Sequence, residues 1–241
     1  YEKSFKDTTD VNYGAILNNI ANIYEELGKH EDAINYYEES LLLKKARNDQ
    51  GGYLNTLNNL GRAYISTGNS EEALKYLEEA EEGYRNLATE SDVIPVLVYK
   101  AKALLSIGQP KEAEKIIYPL VQDTFQNLRP SQRIEGLITY GDIMTAQARH
   151  RDGIRYYSLA RQLIEQTGIV TEKTSLFRKM AHCYFQIKDN ETAYQMLNYS
   201  YTGLLSETSK ERLQLEQEMQ VKFNTLQKEQ ENSKLLNESM I

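Results

Sequence analysis

LNNIANIYEELGKHEDAINYYEESL at residues 17–41 and LNNLGRAYISTGNSEEALKYLEEA at residues 57–80 are two copies of one pattern, set 40 residues apart. The same ruler runs on without insertion or deletion. It gives Leu17, Leu57, Leu97, Leu137 and Phe177, then Ala21, Gly61, Ala101, Gly141 and Ala181, then Tyr24, Tyr64, Leu104, Met144 and Tyr184. Two further columns agree: Ala33, Ala73, Ala113, Gly153 and Ala193, and Tyr37, Leu77, Ile117, Tyr157 and Leu197. A fixed period of this length is the signature of a solenoid, in which each unit buries its apolar face only against its neighbours.

Within a unit, Leu17, Ile20, Ala21 and Tyr24 follow the 3, 4, 7 spacing of one helix face, and Ala33, Ile34, Tyr37 and Leu41 begin a second such face. We call these helices A and B. The A helices are expected near 11–27, 51–67, 91–107, 131–147 and 171–187. Between them Gly28, Gly68 and Gly108 stand where a chain leaving a helix needs positive φ, and Ala148 and Lys188 take that place in the last two units. Ser70 and Asn190 are placed to cap the B helices that follow. The small residues of the Ala33 column let A and B cross closely. Pro119 inside the third B helix is expected to kink it, whereas Pro95 near the start of an A helix is tolerated.

Composition narrows the function. The balance of 28 Lys plus Arg against 35 Asp plus Glu leaves a net charge of −7, which disfavours nucleic acid. One cysteine, Cys183, excludes an intramolecular disulfide and is expected to be a half-buried thiol. No apolar run approaches the roughly 20 residues that span a bilayer, so a membrane enters only through flanking segments. Catalysis and cofactors are not expected. His30 and His150 share one turn position three units apart, and no sequence spacing gives His182 a metal-ligand or triad partner. There is no phosphate-cradling glycine loop.

The string Leu57, Leu60, Gly61, Tyr64, Ala73 and Leu77 resembles the tetratricopeptide repeat signature, in its long 40-residue form. The resemblance spans residues 14–207 and is similar to the repeats of kinesin light chains, polarity scaffolds and bacterial peptide-sensing regulators. It implies an all-α fold: a right-handed superhelical solenoid of about five helix pairs plus a long C-terminal helix. The array is expected over residues 1–208, with repeats near 11–50, 51–90, 91–130, 131–170 and 171–207. Residues 1–10 read as the tail of a preceding repeat, so the chain is expected to continue N-terminally. Residues 209–241 read as a capping or connector helix with a stripe at Leu215, Met219, Phe223 and Leu226.

In such arrays the A helices line the concave face. The resemblance therefore implies a peptide-binding groove formed by Asn18, Asn19, Asn22, Asn55, Asn58, Asn59, Arg62, Lys102, Asp142, Arg178 and His182. An Asn amide offers donor and acceptor together, so a ladder of them can pair with the backbone of an extended peptide. The same amides could instead bond to adjacent helices and set the twist of the array. Arg62 and Lys102, 40 apart, would favour an acidic residue in the bound segment. The implied partner is a protein or extended peptide segment.

The segment EMQVKFNTLQKEQENSKLLNE at 218–238 resembles the connector that follows such arrays in sensor histidine kinases and regulators of Bacteroidetes. That resemblance implies the sensory region of a bacterial signal-transduction protein, outside the cytoplasm if membrane-anchored. The alternative is a cytoplasmic scaffold or peptide-sensing regulator, with a possible homodimer through the final helix.

Overall fold

The computed structural model describes residues 13–87, 90–121, 128–169 and 173–206. Its regular structure is helical throughout: α1 (Tyr13–Glu26), α2 (His30–Ala46), α3 (Gln50–Ser66), α4 (Ser70–Asn86), α5 (Glu90–Ser106), α6 (Pro110–Pro119), α7 (Pro130–Ala146), α8 (His150–Thr167), α9 (Lys173–Gln186) and α10 (Asn190–Ser206). Odd-numbered helices are the A helices and even-numbered ones the B helices. Each A helix packs on its own B helix and on the A helix of the next unit, and each B helix packs on the following A helix. Contacts thus pass from neighbour to neighbour, as the period requires. The expected repeat tail at 1–10 and the C-terminal helix at 209–241 lie outside the described residues.

Each A helix stops on the same backbone device. At Gly28 the chain turns left-handed at φ 70°; Gly28 N–H bonds Glu25 C=O at 2.9 Å and Lys29 N–H bonds Tyr24 C=O at 2.9 Å. This double closure satisfies the orphan carbonyls of the helix end. Gly68 and Gly108 repeat it at φ 81° and 77°, and Ala148 and Lys188 adopt it at 59° and 66° although they carry a Cβ. The turn is therefore kept in all five units, including the two whose sequence lacks glycine.

The B helices begin one residue earlier in register than Ser70 and Asn190 suggest. Ser70 and Asn190 are the first helical residues, and the cap positions are occupied by Asn69 and Asp189. Asp189 Oδ1 accepts from Thr192 N–H at 3.2 Å, and Asp49 does the same for Gly52 N–H at 3.0 Å ahead of α3.

The core follows the columns. Ala33, Ala73, Ala113 and Ala193 are fully buried, as are Tyr37, Leu77 and Ile117. A Cβ on Gly61 would lie 2.5 Å from Leu77 Cγ, so the A and B helices of that unit meet too closely for a methyl group. At the last unit Leu197 is 38 % exposed, where its column mates Tyr37, Leu77, Ile117 and Tyr157 are at most 1 %. Unit three departs in another way. The α-helical run of α6 closes at Pro119 after 10 residues, where α2 and α4 have 17, and Leu120 and Val121 carry the chain on in wider π-type turns. Leu97 is half-buried while Val96 and Val98 beside it are buried, so α5 presents an apolar surface on more than one side.

Candidate functional site

The A helices α1, α3, α5 and α7 together wall a cavity of 640 Å³ whose lining includes Asn22, Glu25, Glu26, Asn55, Asn59, Arg62, Tyr99, Lys102 and Glu135. Five of the residues named from the sequence meet here: Asn22, Asn55, Asn59, Arg62 and Lys102. Glu25, Glu26, Tyr99 and Glu135 are additional. The ruler could have found two of them, since Tyr99 is Asn59 plus 40 and Glu135 is Asn55 plus 80.

The other named residues are elsewhere. Asn18 is only 6 % exposed and lies between α1 and α3, where its Oδ1 accepts from Thr56 Oγ1 and from Asn59 Nδ2, both at 3.1 Å. It is consumed by the neighbouring helix and is closed to a ligand. Asn19 is exposed, and Asn58 is half-buried with its Oδ1 lacking a partner among the described residues. Asp142, on α7 but not lining the cavity, pairs with Lys179 Nζ at 2.5 Å and accepts from Tyr157 OH at 2.7 Å. Arg178 and His182 are exposed on α9 at the far end. Both readings of the asparagines thus apply: Asn18 is used up in joining α1 to α3, Asn22 and Asn59 join repeats and line the cavity as well, and Asn55 edges it from an exposed position.

The charges of the cavity are paired across repeat boundaries. Arg62 Nε stands 3.6 Å from Glu25 Oε2, and Arg62 Nη2 donates to Tyr37 OH at 3.2 Å and lies 3.5 Å from Asn22 Oδ1. Tyr37 in turn donates to Asn22 Oδ1 at 2.5 Å, and burial pushes its hydroxyl up to about 12. Lys102 Nζ pairs with Glu135 Oε1 at 2.6 Å and sits 5.0 Å from the Tyr99 ring centre. Tyr99 lies between these two groups; burial and the Glu135 carboxylate push its hydroxyl up. The Arg62–Glu25 and Lys102–Glu135 pairs each join one A helix to the next, so the wall of the cavity is also the seam of the array. Behind it Lys44, 6 % exposed, donates to Thr56 Oγ1 at 2.8 Å and Gly52 C=O at 3.2 Å, and burial pulls its ammonium below the ordinary lysine range.

The structure adds one contact between reactive side chains and corrects the expected burial of Cys183. His150 and His182 are 32 residues apart, yet α8 and α9 bring their rings to 6.1 Å, edge to face. Cys183 is fully buried rather than half-buried, 3.2 Å from Thr145 Oγ1, and burial raises its thiol. Among the described residues no group of three or more His, Cys, Asp and Glu is arranged to hold a metal ion, and no helix is long and apolar enough to cross a membrane.

Comparison with known proteins bears on the fold. The tetratricopeptide repeat family matches residues 12–86. No curated protein matches the sequence. Among solved structures, nearly identical TPR-like repeats from Podosopora anserina share 17 % identity, cover 78 % of this chain and 93 % of that one, and superpose with a TM-score of 0.59. A Rap protein complexed with competence and sporulation factor gives 12 % identity and a TM-score of 0.72, over 84 % of this chain and 57 % of that one. NprR in complex with its cognate peptide NprX gives 16 % and 0.67, over 91 % and 62 %. At these identities the likeness is one of fold. The described helices accordingly form a tetratricopeptide-type array in which the A helices of the first four units wall a polar groove.

Proposed function

We propose that this chain is a non-enzymatic binding module that holds an extended protein or peptide segment in the groove of its A helices. The observation that carries this reading is the cavity of 640 Å³, walled by four successive A helices and edged by exposed Asn55. An extended strand presents backbone donors and acceptors along its length, and a wall of amides and ion pairs that repeats from unit to unit can meet them in turn. The structures of a Rap protein complexed with competence and sporulation factor and of NprR with its cognate peptide, built on the same fold, support the reading.

The test is selection of binders from a random-peptide display library on the whole chain, followed by anisotropy titration. Asn55 is exposed, so Asn55→Trp fills the groove without touching the core. Affinity is expected to fall by about tenfold or more while the melting temperature stays put. Failure to select any binder, or binders indifferent to Asn55→Trp, would sink the reading.

In its finer form the module is the input region of a signalling protein, a reading supported by the connector-like segment at 218–238. An apolar run of about 20 residues following Ile241 in the gene would place it beside a membrane, and a charged heptad continuation would favour the scaffold instead.

A further inference from the structure

We infer that the groove selects a segment carrying a lysine or arginine, held by Glu26, and disfavours an acidic one. The inference rests on the groove reading above and reverses what Arg62 and Lys102 suggest when seen as isolated cations.

The cavity is lined by two cations, Arg62 and Lys102, and three carboxylates, Glu25, Glu26 and Glu135. Both cations are already engaged. Arg62 donates through Nη2 to Tyr37 OH, and its Nε, which makes no hydrogen bond among the described residues, lies 3.6 Å from Glu25; Lys102 pairs with Glu135 at 2.6 Å, and Glu25 also holds His30 Nδ1 at 2.6 Å. The carboxylate left over is Glu26, exposed on the rim and without a hydrogen bond or ion pair among the described residues. Its place on the helix strengthens the field. Glu26 is the last residue of α1, which has no basic side chain in its final turn, so the carbonyl end of the helix dipole adds to its negative charge.

An acidic ligand would have to displace one of the built-in carboxylates. The side chain of Glu25 is 7 % exposed, and separating it from Arg62 would leave a buried charge short of its partner, a cost that exceeds what one new exposed pair returns. A basic ligand displaces nothing. Its ammonium or guanidinium meets Glu26 at the rim while the Arg62 and Lys102 pairs stay closed. The net charge of −7 over the chain draws the same class of partner from a distance.

The experiment uses the whole chain and the display library of the previous section, scored for the residues enriched in binders that Asn55→Trp abolishes. Enrichment of Lys or Arg is expected, and Glu26→Gln should weaken those peptides about fivefold at low salt, an effect that 0.5 M salt largely removes. Changing the basic residue of a selected peptide to Gln should cost the same factor on the native chain and nothing on the Glu26→Gln chain. Groove-dependent binders that carry acidic or only neutral residues, or basic ones indifferent to Glu26→Gln, overturn the inference and leave the groove reading standing. Binders that ignore Asn55→Trp overturn the groove reading and this inference together.

Discussion

The left-handed turn that closes every A helix offers a test in which packing plays no part. A Cβ placed on Gly28, Gly68 or Gly108 would find nothing within 4 Å, so a Gly→Ala change at these sites alters backbone energy alone. Placing a residue with a Cβ in the left-handed region costs roughly 1–2 kcal/mol, partly offset by the smaller entropy that alanine loses on folding, about 0.5–1 kcal/mol. Each Gly→Ala change should therefore destabilise by about 1 kcal/mol. Gly68, whose φ of 81° lies furthest from the left-handed minimum, should suffer most and Gly28, at 70°, least. The converse holds at the two turns that lack glycine. Ala148 and Lys188 sit at φ 59° and 66°, and Ala148→Gly and Lys188→Gly should each stabilise the array by about 0.5–1 kcal/mol. Urea unfolding followed by circular dichroism at fixed slope measures all five. Because neighbouring units unfold together, the two stabilising changes should also delay loss of the C-terminal half in hydrogen exchange. If Ala148→Gly destabilises, or Gly68→Ala is silent, the turn is not the common device described here.

Two further outcomes test the seam. Tyr37 is fully buried and its hydroxyl is pushed up to about 12, so the folded state holds this proton after the unfolded chain releases it near pH 10. Its contribution, about 2–3 kcal/mol, should be whole below pH 10 and disappear as pH rises from 10 through 12, and Tyr37→Phe should flatten that slope in denaturant titrations. Asn18→Ala should cost about 1–3 kcal/mol by stripping Thr56 and Asn59 of a buried acceptor, whereas Asn19→Ala on the exposed side should leave the melting temperature unchanged; equal effects would refute the division of labour among the asparagines.

Much of this protein is legible without coordinates because its information is periodic. A 40-residue ruler places Leu57, Gly61, Ala73 and Leu77 on the facing sides of one helix pair, and the backbone turn after each A helix demands positive φ whatever residue stands there. That is why the alternation of A and B helices and most of the buried columns follow from the chain alone, whereas the exact starts of the B helices and the short α6 do not. The ruler is blind to direction within a turn. Roughly 100° of helical rotation per residue turns Asn19 to solvent, while Asn18 and Asn22, one turn apart on nearly the same face, are told apart only by packing, Asn18 bonding to α3 and Asn22 lining the groove. It is equally blind to pairs that cross units off the 40-residue step, such as Lys102 with Glu135 or His150 with His182. The local pattern of side chains determined a stack of helix pairs, since each apolar stripe has one stable place to go. Only the tertiary packing decided the charge of the groove, because it brought Glu25 and Glu135 against the two cations that the sequence shows standing alone, leaving Glu26 as the unpaired group at the rim.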